Sequence, residues 1–166
     1  MKDLLFKGVT FACMPIFVSY QSRVLDHWNS NRKQEAFSSI KEALSFEFLV
    51  FIILFIIFMV VKEGLFLNLL RIPAMDSWEI YLPILLSAFV WQMTILLQRF
   101  LDLMFRQAYL LIIIAGCTVF NIGANLLLVP VYGFRGASLV MLATVILYAV
   151  LILLFSWLAR RKHPDR

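Results

Sequence analysis

Apolar runs of 18 residues or more recur along this chain, each long enough as a helix to cross the roughly 30 Å hydrocarbon core of a bilayer. Five runs emerge, over about residues 4–20, 43–61, 80–97, 108–128 and 134–159. The first is short and interrupted by Lys7 and Pro15; the third carries Pro83 in its opening turn, where proline is tolerated. Lipid offers no partners to backbone N–H and C=O groups, so the runs are expected to be helices. A membrane barrel would need ten-residue segments of alternating polarity, and the sequence has none. The expected fold class is therefore all-α integral membrane, with about five transmembrane helices over residues 1–159 and a basic tail at 160–166.

Composition removes the competing classes. Of 166 residues, 63% are hydrophobic and 15% charged, too few charges to cover a soluble core of this size. A soluble enzyme, a disulfide scaffold and a disordered tail are all excluded. Cys13 and Cys117 lie inside apolar runs without metal-ligand spacing, and read as apolar fillers. Lys2 and Lys7 precede an apolar stretch, but no small-x-small cleavage site follows, against a secretory signal. The only histidines, His27 and His163, sit in polar segments without a serine or carboxylate arrangement, and there is no Gly-rich phosphate loop. The expectation is a protein that is not an enzyme, with no cofactor and no metal, and any transport driven by a gradient or by the substrate itself.

The net charge of +5 reads as orientation, not nucleic-acid binding. Residues 21–42 form a long polar connection whose second part could be an interfacial helix. Segment 62–79 is mixed, with Leu65 to Leu70 expected in the membrane surface. Segment 98–107 is short and charged, and Val129-Pro130-Val131-Tyr132-Gly133 reads as the tight turn of a helical hairpin. Five crossings would place ten Lys and Arg on one side and five on the other. The positive-inside rule makes the ten-residue side cytoplasmic, including 21–42, 98–107 and the C-terminus. Met1 would then start outside on a short run, which points to a missing upstream helix.

Polar residues inside the runs are the candidate working groups. At 100° per residue, Gln107, Thr118, Asn121 and Asn125 fall within about 60°, with Gly116 and Gly123 opposite. Both faces of this fourth helix avoid lipid, so it is expected to be central. Its asparagines are either hydrogen-bonding glue between helices or the lining of a hydrated substrate path. On the third helix, Gln92, Arg99, Asp102 and Arg106 lie within about 80°. Asp102 can pair with Arg99 and Arg106, leaving one positive charge. That stripe is either a helix end with snorkelling arginines or an anion-binding edge at the inner leaflet, where guanidinium suits phosphate. Gln92 would continue it deeper. Lys7 and Glu47 are assigned to helix ends, where they would snorkel.

The segment from Asn121 to Thr144 (NIGANLLLVPVYGFRGASLVMLAT) resembles a family signature. It carries Asn121 and Asn125, an aliphatic run to Val129, Pro130, Tyr132-Gly133 and then Gly136-Ala137-Ser138. This pattern is similar to the last two helices of the second lobe in the multidrug/oligosaccharidyl-lipid/polysaccharide flippase superfamily. Pro15 followed by Ser22-Arg23 resembles the end of that lobe's second helix, and Leu96 to Arg106 its third connection. There the family often has Gly-Arg where this chain has Phe105-Arg106. The resemblance fits the polysaccharide-biosynthesis branch best, the O-antigen and capsule repeat-unit flippases. It implies a multi-pass protein of the bacterial cytoplasmic (inner) membrane that moves a polyprenyl-diphosphate-linked oligosaccharide for surface polysaccharide synthesis, including lipopolysaccharide. The substrate-binding residues would be Gln92, Arg99, Asn121 and Asn125, with membrane lipids and a missing N-terminal lobe or partner chain as further partners. The chain would then be a fragment or one piece of a split transporter. Two alternatives stay open: a non-transporting interaction module of a glycan-assembly complex, and one lobe of a multidrug cation antiporter.

Overall fold

A computed structural model of the chain describes residues 2–64, 78–103 and 107–162. They form four helices: α1 (Lys2–Asn29), α2 (Lys33–Gly64), α3 (Trp78–Leu103) and α4 (Gln107–Lys162), with no strand among the described residues. Three stretches are long and apolar enough to cross a membrane: Lys33–Val60, Glu79–Leu103 and Gln107–Leu158. The segment holding Leu65 to Leu70, together with Arg106 and His163, lies outside the described residues.

The helices outrun the apolar stretches that announce them. Residues 21–42, expected as a long polar connection, are instead the end of α1, a three-residue turn and the start of α2. Apolar runs mark where a helix meets lipid, whereas Gln, Arg, Lys, Glu and Ala propagate it just as well in water. The turn has a specific stop. Asn31 takes a left-handed conformation (φ 58°), which asparagine tolerates better than most residues. The Arg32 N–H then reaches back to the His27 carbonyl at 2.8 Å and the Asn31 N–H to that of Trp28 at 3.0 Å, closing the last turn of α1. Arg32 starts the next helix by accepting from the Ala36 N–H at 3.1 Å, and its guanidinium donates to Glu35 at 3.0 Å.

α4 is a hairpin. Its backbone leaves helical geometry at Gly133 (φ 56°, ψ −134°), a conformation open essentially to glycine alone. The rings of Tyr109 and Phe155 approach to 5.3 Å, and Asn121 bonds Thr144 at 2.9 Å. Both pairs are centred on the 132–133 step, so the arms run antiparallel. Gly136 completes the reversal: a Cβ there would stand 2.7 Å from the Leu128 carbonyl oxygen.

α3 is the central element, packed on α1, α2 and α4, while among the described residues α2 packs only on α1 and α3. On one side Val9, Cys13, Phe51, Leu85, Ala88 and Phe89 close the three-helix seam, with the Phe51 and Phe89 rings stacked at 3.8 Å. On the other side Leu101, Leu110, Ile113, Cys117, Tyr148 and Ile152 join α3 to both arms of α4. The expectation that the fourth apolar run would be central is corrected: Gly116 faces open space, and Ile112, Val119 and Ile122 are exposed. A polar stripe shows which face shuns lipid, not how many helices surround it. Arg135 on α4 pairs with Glu79 of α3 at 2.6 Å, beside the Gly133 reversal. Arg99, Asp102 and the α1–α2 turn occupy the opposite end.

Candidate functional site

The polar side chains gather in two clusters, one on each flank of α3. Near the α1–α2 turn, a cleft of about 170 Å³ opens between α1, α2 and α3. Phe17, Tyr20 and Trp28 line it from α1, and Leu96 and Leu103 from α3. Its charged groups are Arg99 and Asp102, one helical turn apart. The Arg99 guanidinium donates to Asp102 at 3.2 Å and sits 5.2 Å from the centre of the Phe17 ring, within cation–π range. Arg99 Nε is buried without a partner among the described residues. A guanidinium has five N–H donors, and the bond to Asp102 leaves capacity for an anion such as a carboxylate or phosphate. The cleft is thus an apolar, aromatic slot with one cationic fork at its edge, the shape of a site for an amphipathic anion.

Gln92 shares that face of α3, two turns from Arg99, as the helical spacing predicted. Its side chain is buried, however, and its Nε2 donates to Thr10 Oγ1 on α1 at 2.9 Å. It ties α1 to α3 and is not among the residues lining the cleft.

The second cluster joins α3 to α4. The Asn125 amide donates to the Asn121 backbone carbonyl at 2.9 Å and to its Oδ1 at 3.0 Å. Asn121 donates to Thr144 Oγ1 at 2.9 Å, and Thr144 donates on to the Val140 carbonyl at 2.7 Å. This relay runs across the two arms and ends on backbone, with every donor named satisfied. Beside it, a shallower cleft of about 300 Å³ is lined by Trp91, Thr118, Asn121, Thr144 and Tyr148, among others, but not by Asn125. The Trp91 and Tyr148 rings stack at 5.8 Å, and the Tyr148 hydroxyl donates to Gln98 at 3.2 Å. Aromatic faces beside amide and hydroxyl groups suit a polyhydroxylated ligand. The four residues singled out from the sequence therefore divide between two places: Gln92 and Arg99 toward α1, Asn121 and Asn125 within the α4 hairpin.

Phe17, Trp91 and Tyr148 went unmarked in the sequence, because an aromatic within an apolar run carries no signal of its own. Glu47 was misplaced. It lies fourteen residues past the start of α2, fully buried, with neither carboxylate oxygen bonded among the described residues, so it does not snorkel. Its sequence assignment took the helix to begin with the apolar run at Ala43, whereas the helix begins ten residues earlier.

The described residues define an all-helical protein with three helices long and apolar enough to cross a membrane. Comparison with protein-family models, curated proteins and solved structures finds no match for this chain.

Proposed function

We propose that the chain forms most of one lobe of a flippase for lipid-linked oligosaccharide repeat units, crossing the bacterial cytoplasmic membrane five times with its C-terminus in the cytoplasm. In this reading α1, α2 and α3 cross once each and the arms of α4 provide the last two crossings. A second lobe or partner chain supplies the opposing wall of the path. The single observation that carries the proposal is the Arg99 cleft, a cationic fork set in an aromatic slot at the end the charge count makes cytoplasmic. A polyprenyl diphosphate has the same two chemistries, an apolar chain joined to a compact anion. Arg99 would hold the diphosphate, Phe17 and Trp28 the first isoprenyl units, and the Trp91–Asn121 cleft the sugars on the other flank of α3. Gln92 would position α1 against α3, and Asn121 and Asn125 would keep the α4 hairpin closed while Asn121 also faces the sugar path. The likeness of the Asn121–Thr144 segment to the flippase signature adds support, since its Asn, Gly133 and Gly136 positions carry the hairpin's reversal and cross-links.

The test is native mass spectrometry of the purified chain with a polyprenyl diphosphate, the monophosphate and the free polyprenol. Charge-assisted hydrogen bonds contribute about 1.5–3 kcal/mol. The diphosphate should therefore bind roughly 10- to 100-fold more tightly than the polyprenol, and Arg99→Ala should abolish that preference. Equal binding of all three lipids would sink the proposal. In cells that depend on this protein, Arg99→Ala should reach the membrane yet export little surface polysaccharide.

A second reading, one lobe of a cation-driven antiporter, is favoured by one observation only: the Glu47 carboxylate, fully buried in α2. That carboxylate would take part whichever cargo the lobe carries.

A further inference from the structure

Glu47 is the strongest anomaly in the molecule. Its side chain is fully buried, and neither Oε1 nor Oε2 has a hydrogen-bond partner among the described residues. It lies fourteen residues, about 21 Å, past the start of α2 and four residues inside the apolar run that opens at Ala43. Among the described residues, only α1 and α3 pack against α2. From α1 the titratable group that faces it is the buried Cys13 thiol. From α3, no titratable group is among the residues that close the seam, which are Leu85, Ala88 and Phe89. Its own helix offers Ala43 and Leu44 one turn before and Val50 and Phe51 one turn after. An uncharged polar pair, Thr10–Gln92, lies three residues along α1 from Cys13 and four along α3 from Ala88.

An ionised carboxylate left bare in such a place is prohibitively unfavourable, because nothing replaces its water. The group must be neutralised by a proton or by a cation that brings its charge into the seam. A purely packing role is poorly served by this residue type, since leucine or methionine would fill the volume without two unsatisfied oxygens. Intramembrane acids that no neighbouring cation compensates are places where a small cation enters and leaves.

We propose that Glu47 is a monovalent-cation site in the α1–α2–α3 seam, its carboxylate exchanging a proton or an alkali cation while the Thr10 hydroxyl and Gln92 amide supply the neighbouring dipoles. The proposal is independent of the cargo: it stands if the Arg99 cleft binds no diphosphate, and that cleft stands if Glu47 never titrates. A neutral seam would pack closed, whereas an ionised one draws in water or a counter-cation and loosens α2 from α1 and α3.

Infrared difference spectroscopy of the full chain in lipid nanodiscs reads the group directly. The wild-type minus Glu47→Gln spectrum should contain a protonated-carboxyl band typical of a non-polar site. That band should lose most of its intensity on titration from about pH 5 to 10, a window that brackets any exchanging carboxyl in such a site. At fixed pH, replacing choline with sodium should weaken the band if the site takes an alkali cation, and leave it unchanged if it takes protons alone. Circular dichroism confirms that the variant is folded. Should Glu47→Gln fail to fold, Glu47→Asp serves in its place, with the band displaced instead of lost. A band that ignores both pH and sodium would mean a permanently neutral structural acid and overturn the proposal. No band under any condition, with no response to sodium, would overturn it equally.

Discussion

The two flanks of α3 differ in which of their buried polar groups go unpaired: a neutral hydroxyl on one, ionisable groups on the other. Toward α4, the relay from Asn125 through Asn121 and Thr144 to the Val140 carbonyl leaves none of its named donors open, Tyr148 reaches Gln98, and the Ser156 hydroxyl is the one buried polar group of α4 without a partner among the described residues. Toward α1 and α2, Gln92 is bonded to Thr10, but among the described residues Glu47 has two bare oxygens and Arg99 a bare Nε. A satisfied buried network holds helices together, while an unsatisfied buried group costs free energy that packing alone does not explain. The α4 flank therefore reads as the frame and the α1–α2 flank as the working side. That contrast can be broken by substitution.

The largest effect is expected in the frame. Gly136→Val places a branched side chain where even a Cβ would stand 2.7 Å from the Leu128 carbonyl oxygen, and backbone cannot swing aside as a side chain does. We expect a loss of about 3 kcal/mol, at the upper end for overpacking, read as the midpoint of unfolding in mixed detergent micelles. A variant as stable as wild type would show that the two arms of α4 are not held at this distance.

Next, Glu47→Leu should stabilise the chain. It removes two unsatisfied buried oxygens and keeps a similar volume, so a gain of about 1–3 kcal/mol in the same unfolding measurement is expected. The sign is the diagnostic. A loss would mean that the carboxylate has a structural partner, and the working side would lose its distinguishing feature.

Asn121→Leu should do the reverse, and more gently. It takes the partner from Thr144 and the acceptor from Asn125. Interhelical hydrogen bonds in membrane proteins average about 0.6 kcal/mol and rarely exceed about 2, so a loss near 1 kcal/mol is expected. A double-mutant cycle with Thr144→Val should return a coupling of about 0.6 kcal/mol. Zero coupling would remove Asn121 from the frame and leave it to the cleft alone.

Sequence carried the frame far better than the working side, for a physical reason. Runs of apolar residues locate helices, and the segment Val129 to Gly133 announces a reversal, since proline stops a helix and few residues besides glycine tolerate the backbone at Gly133. The 100° phase rule likewise put Gln92 and Arg99 on one face. Yet phase says nothing of depth when the helix start is misjudged. Glu47 was placed at a helix end because Ala43 opens the apolar run, while Lys33 to Glu42 extend the helix in polar residues. Nor does phase say which neighbour a face meets. Gln92 was expected to look into a path and instead bonds Thr10, a residue 82 positions away.

The smallest effect is the most informative about the working side. Asp102 holds Arg99 through one 3.2 Å contact, with the two side chains 27% and 33% exposed. A pair so open to solvent contributes no more than about 1 kcal/mol, so Asp102→Asn should scarcely change stability. It should, however, release the guanidinium from its competing carboxylate. If the cleft binds a diphosphate, affinity for a polyprenyl diphosphate should rise a few-fold, with no change for the free polyprenol, as read by native mass spectrometry. If Asp102 instead orients Arg99 for the ligand, the same substitution should weaken diphosphate binding. The direction of that modest shift decides whether the carboxylate restrains the cationic edge or aims it.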